Sequence, residues 1–211
     1  MARTVGSNGV KTMEAIRQAG LQLIHEHGFE AMGLRDLAAA VGLRVGSLYN
    51  HISTKEDLLV DLIRTHMNSL FQELDQALVG IDDPVEKLQR FILFHVTYHI
   101  VRKREVFIGY SELRSLEPEH YREIVGLRRD YEQVLVAILE QGRLAGRFQM
   151  GDVQVAAFGI LAMLTGVCTW FRPDGRLSRE DVVAVYSDMI LKGLLVQNPD
   201  GGSPSGALPT A

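Results

Sequence analysis

The stretch LRDLAAAVGLRVGSLYNHISTKEDLL, residues 34–59, decides the fold. Leu34, Leu37, Ala38 and Val41 recur at helical spacing, and Gly42 stops the helix they imply, expected over 34–41. Gly42-Leu43-Arg44-Val45 leads into a second short helix, expected over 46–52. Leu37, Ala38, Val41, Leu43 and Leu48 are spaced to pack the two helices together, and the small Ala38 lets them approach closely. This is helix-turn-helix geometry. The second helix then presents Arg44, Val45, Ser47, Tyr49, Asn50 and His51. These are mostly hydrogen-bonding groups near a helix N-terminus, the end that enters a DNA major groove. Two features suit folding poorly. Val45-Gly46-Ser47 is a weak helix interior, read as a turn feeding the second helix. Lys55 stands in the first turn of the next helix, where a cation opposes the helix dipole by a few tenths to about 1 kcal/mol. A phosphate partner would reverse that penalty, and glycine at 46 would let backbone lie close to DNA. Ser53 and Glu56 have capping-box spacing for the helix that starts at 55.

Working outward, the pattern is helical throughout and strand-like alternation is absent. A helix over 11–27 ends at Gly28. The helix from 55 to about 78 carries a long apolar stripe that includes Leu58, Leu62, Met67, Leu70 and Leu74. Asp83-Pro84 opens a helix to about 101. A shorter helix covers 104–116, and Glu117-Pro118 opens a long one to about 144. Asp152 starts an apolar helix to 171. Ser178 with Asp181 caps the last helix, which ends near 196. The fold class is therefore all-α, with about nine helices. A flexible arm over 1–10 precedes a helix-turn-helix domain over 11–55, with the motif itself at about 33–52. A larger bundle follows over 56–197, then a Gly/Ser/Pro-rich tail over 198–211 that reads as disordered.

Composition bounds the function. The 211 residues carry a net charge of −4, which taken alone argues against nucleic acid. Residues 1–55, however, hold six Lys/Arg against four acids, and the remainder sixteen against twenty-two. The N-terminal quarter is the positive part. The apolar stretch 153–171 is interrupted by Gly159, Thr165 and Gly166 and reads as a buried helix, so no membrane partner is expected. The N-terminus lacks a signal-peptide pattern, and the single cysteine, Cys168, excludes an intramolecular disulfide framework. Both fit a cytoplasmic protein.

The segments DLAAAVG, GSLYNHI and KEDLL, in this order and spacing, resemble the N-terminal domain of TetR/AcrR-type transcriptional regulators over about residues 11–60. Three positions depart from that pattern. Gly33 stands where a threonine commonly caps the second helix, Arg44 where a small polar residue is commoner, and Ile52 where phenylalanine is usual. The resemblance implies a dimer whose recognition helices meet a palindromic double-stranded DNA operator. Carried over, Tyr49, His51 and Lys55 would contact phosphate, and Arg44, Val45, Ser47 and Asn50 would lie nearest bases. Arg35, which opens the second helix, is a further phosphate candidate and could instead pair with Glu30.

The bundle has no nucleophile elbow, dinucleotide fingerprint or P-loop, so no enzyme activity and no cofactor are expected. His95 and His99 could face one metal, but no companion ligand accompanies them, and an apolar cavity or interface suits them better. Phe71, Phe94, His95, Tyr98, Phe107, Tyr110 and Arg128 are the candidate lining of a pocket for a small, largely apolar effector. The segment around 112–148 resembles regulators of lipid, sterol or acyl-CoA breakdown, which would make Arg102, Arg104, Arg128 and Arg129 candidates for an anionic group. Phe158, Leu161, Thr165, Val183, Tyr186 and Ile190 are the expected homodimer face. The resulting reading is a ligand-responsive repressor. Its rivals are a transcriptional activator, and a helical ligand-binding protein or enzyme whose N-terminal module does not bind DNA.

Overall fold

The structure is a computed structural model that describes residues 7–196. Most of the arm expected over 1–10, and the tail expected over 198–211, lie outside the described residues. Among the described residues there are nine α-helices, one 3-10 turn and no named strand. They run α1 (Ser7–His27), α2 (Leu34–Ala40), α3 (Val45–Leu48), α4 (Lys55–Leu78), α5 (Pro84–Val101), α6 (Lys103–Ser111), α7 (Pro118–Leu144), α8 (Val153–Trp170) and α9 (Arg179–Leu194). Helix α1 begins earlier than its apolar pattern suggests, so residues 7–10 belong to it rather than to an arm. The helix expected over 104–116 is divided, because α6 stops at Ser111 and Leu113–Ser115 tightens into a 3-10 turn.

Helices α1 to α3 fold around the start of α4. Ile16, Ile24 and Phe29 meet Leu37, Ala38, Leu48 and Ile52, and Leu58 and Leu59 close the cluster from α4. The departure at Ile52 keeps an apolar side chain 5% exposed and so leaves this core filled. Gly42 adopts φ +68° at the turn, a left-handed conformation that a side chain would strain. In the larger bundle α5 is central and packs against α4, α7, α8 and α9. Asp83 caps it by accepting from the backbone N–H groups of Val85 and Glu86, with Pro84 behind it as expected. The Ser178–Asp181 capping box of α9 is also present.

The start of α4 differs from its sequence reading. The capping box is Thr54 with Asp57, one residue later than Ser53 with Glu56. Glu56 is drawn elsewhere: its Oε1 accepts from the backbone N–H of Glu117 at 2.8 Å and meets Nδ1 of His120 at 2.7 Å. One side-chain register was therefore exchanged for a tie between α4 and α7. Two turns on, Arg64 holds Glu123 through two guanidinium nitrogens, Nε and Nη2, at 2.6 and 2.9 Å. Helix α1 is fastened to α4 in the same manner by Arg17 and Asp61.

Helix α8 is not buried all round within one chain. Val155, Phe158 and Trp170 are exposed, as are Val185 and Met189 on neighbouring α9. By length and composition alone α8 could also cross a membrane. Its packing against α5 and α7 instead makes it a bundle helix with one bare apolar face.

Candidate DNA interface and effector cavity

Helix α3 is one short turn. Arg44 is its N-cap in extended backbone, and its carbonyl accepts from the N–H groups of Ser47 and Leu48. Val45-Gly46-Ser47 thus forms the first helical turn rather than a turn before it. Further bonds from His51 and Ile52 to the carbonyl of Leu48 continue the coil to Ile52. Gly33 caps α2 without a side chain. Leu48 and Ile52 are buried beneath the segment, which leaves the opposite side to solvent. Arg35, Arg44, Tyr49 and Asn50 are exposed, Val45, Ser47 and His51 half-buried. None of the polar side chains among these seven has a hydrogen bond or ion pair among the described residues, and Arg35 does not pair with Glu30. A Cβ at Gly46 would meet nothing within 4 Å, so neither packing nor backbone strain demands glycine there.

Lys55 is engaged inside the chain. Its ammonium donates to the carbonyls of Phe29 and Glu30 at 2.9 and 3.1 Å and lies 4.4 Å from the centre of the Phe29 ring. The carbonyl oxygens offset the dipole penalty at the start of α4 and tie the α1–α2 connection to that helix. Two of three N–H groups are used, which leaves one for an external anion.

The bundle encloses a cavity of about 690 Å³ between α4, α5, α6, α7 and α8. Of the seven residues expected to line it, His95, Tyr110 and Arg128 do so. Phe71 stands edge-on to Tyr131, Phe94 stacks obliquely on Tyr98, Tyr98 faces a smaller cleft beside α1, and Phe107 meets His25 of α1. His66 and Met67 are missing from that reading, while Arg129, expected as a partner of an anionic group, and Tyr131 also line the cavity. His66 was the available signal, a histidine inside the apolar stripe of α4. Leu161 and Thr165, expected at a dimer face, line the cavity together with Phe158, while Ile190 is 4% exposed within the chain. Val183 and Tyr186 are half-buried against the core, Tyr186 edge-on to Trp170.

The buried end of the cavity is rich in imidazole. His95 makes two bonds, Nδ1 with the Tyr131 hydroxyl at 2.9 Å and Nε2 with the Thr165 hydroxyl at 3.0 Å. His99 stacks on it with ring centres 3.7 Å apart. Stacked rings direct their nitrogens side by side rather than toward one point, and both His95 nitrogens are already bonded, so the pair does not suit a shared metal ion. Among the described residues no group of three or more His, Cys, Asp or Glu could hold one. Burial holds all three histidines neutral: His66 falls to about 4 and His99 to about 3, while His95 drops well below its ordinary value. At the rim Arg128 lies 4.2 Å over the Tyr110 ring, with exposed Arg129 beside it.

Residues 81–194 match the family described as tetracyclin repressor-like, C-terminal domain, and residues 16–62 match bacterial regulatory proteins, tetR family. The chain belongs to the TetR family. It is a transcriptional regulator, and the family is not one of enzymes. The chain is 27% identical to the HTH-type transcriptional repressor KstR2 of Mycolicibacterium smegmatis, over 95% of this chain and 98% of that one. It is 25% identical to the fatty acid metabolism regulator protein of Bacillus subtilis, over 85% and 92%. Among solved structures it resembles the TetR-family regulator PfmR of Thermus thermophilus, with 35% identity, a TM-score of 0.77 and coverage of 84% and 97%. It is also similar to AibR in complex with isovaleryl coenzyme A and operator DNA, with 27% identity, a TM-score of 0.79 and the same coverages.

Proposed function

We propose that this TetR-family regulator is a repressor that binds a palindromic operator as a homodimer and is released by an amphipathic, acyl-CoA-like effector. One observation carries the reading: α4 belongs to both sites. Its first residue is bonded to the α1–α2 connection, and Ile63, His66, Met67 and Leu70 of the same helix line the cavity. An effector that prefers one position of α4 therefore biases the spacing of two recognition segments. The apolar walls suit an acyl or lipid body, and Arg128 and Arg129 at the rim suit an anionic group. The similarity to AibR with isovaleryl coenzyme A and operator DNA favours the same pairing of ligands.

On the operator, Arg44, Val45, Ser47 and Asn50 face bases, while Arg35, Tyr49, His51 and the open N–H of Lys55 face phosphate. Dimerisation covers the bare face of α8 and α9, where Phe158, Val185 and Met189 stand out, with Val183 and Tyr186 beside them. A two-fold axis there sets two half-sites about one DNA turn apart.

Sequencing of DNA fragments bound by the protein, followed by gel shifts with and without acyl-CoA esters, tests the proposal. Failure to bind any fragment at low salt would exclude a repressor. Reporter output in a deletion strain separates repression from activation.

A further inference from the structure

The cavity holds hydrogen-bonding capacity that the protein itself leaves unused. His99 Nδ1 bonds to the backbone carbonyl of His95 at 2.9 Å. A carbonyl oxygen can only accept, so Nδ1 carries the proton, and Nε2 of this neutral ring is a bare acceptor. Nε2 has no partner among the described residues, yet it is not among the sealed, unsatisfied atoms. His99 lines the cavity, so that acceptor retains surface there. His66 complements it. Its Nδ1 is sealed and unpartnered, which leaves Nε2 as the better place for the proton and as the nitrogen that can serve the cavity. The two rings flank Tyr98, with centres 5.6 and 6.0 Å from that of the phenol, and His66 disfavours charge on His99.

Taking the cavity as the effector site, we infer that its buried end is built for a hydroxyl group on an otherwise apolar ligand. The hydroxyl proton is donated to Nε2 of His99, and the hydroxyl oxygen accepts from Nε2–H of His66. A ketone can accept but not donate, and so leaves His99 unpaired. A hydrocarbon leaves both unpaired, and a carboxylate brings a second acceptor, with charge, into a neutral apolar site. His95 takes no part, because Tyr131 and Thr165 occupy both of its nitrogens. The inference narrows the effector class to hydroxylated amphiphiles, with the hydroxyl remote from the anionic rim.

The experiment uses full-length, DNA-free protein labelled with ¹⁵N at histidine. Long-range proton–nitrogen correlation is expected to show His99 with its proton on Nδ1. Three uncharged compounds, 1-octanol, 2-octanone and octane, are then titrated. Octanol is expected to bind about tenfold tighter than the other two and to shift the His99 Nε2 resonance, the scale set by leaving a buried polar group unpaired. His99→Phe should bring the three affinities together. A His99 proton found on Nε2, or octane or octanone binding as well as octanol, would overturn the assignment; neither result depends on the variant folding. Octanoyl-CoA and 8-hydroxyoctanoyl-CoA are tested in parallel for operator release. If octanol is preferred but neither ester releases the operator, the hydroxyl site stands and the anionic-effector reading falls.

Discussion

The outer face of α3 and the buried end of the cavity both display polar side chains without partners, but for opposite reasons. Arg44, Tyr49 and Asn50 are exposed, Tyr49 at 53%, and water satisfies them. His66 and His99 are enclosed at 9% and 4%, where an unpaired nitrogen is a standing cost. An unpaired group in solvent says little about stability and much about what docks there. An unpaired group in a cavity speaks to both.

The contrast is tested hardest on the DNA face. The double variant Arg44→Ala/Tyr49→Ala should weaken operator binding about a hundredfold, with a shallower salt dependence, while thermal stability stays within about 0.5 kcal/mol. A large loss of stability would show that these side chains serve the fold. Tyr131→Phe removes the hydroxyl held by His95 Nδ1 and should destabilise the protein by about 1–3 kcal/mol, with operator affinity of the folded protein unchanged; chemical denaturation and gel shifts read the two separately.

Acid probes the buried end of the cavity directly. His66 and His99 titrate in the unfolded chain near pH 6.5, but near 4 and 3 when folded. The unfolded state therefore binds more protons in that interval. The stability these rings contribute is complete above about pH 6.5 and declines as pH falls toward 4 and 3, each adding a slope of up to about 1.4 kcal/mol per pH unit. His66→Leu should flatten the acid limb of a denaturation series. The smallest effect is expected at Gly46. Gly46→Ala should stabilise the fold by about 0.5–1 kcal/mol, since its Cβ enters open space, and should weaken operator binding through the same added methyl group. Stabilisation without loss of binding would remove any DNA role for the glycine.

Sequence reading reached these two regions unequally. The helix-turn-helix is specified locally: Gly42 turns the chain, Leu37, Ala38 and Leu48 pack it, and polar residues take the side left over. All of that lies within 26 residues. The cavity is assembled from five helices, and its lining shares the apolar periodicity of ordinary core. Nothing in the spacing of Met67 distinguishes it from Leu70 or Leu74, and Phe71 and Phe94 proved to be packing groups. The capping box slipped by one residue because Glu56 and Asp57 both satisfy the local rule. The choice between them was made by His120, 64 positions away.

That choice has a mechanical consequence. Helix α4 is a rigid rod, and about 16 Å of it separates His66 from Lys55 at 1.5 Å per residue. Pivoted at the cavity, a tilt of about 5° swings its first turn through more than 1 Å. Lys55 carries the α1–α2 connection along, and Glu56 drags the start of α7. On the proposed function the fold is geared: a displacement smaller than a bond length beside the effector would arrive at the DNA end enlarged, and in a dimer it would be doubled.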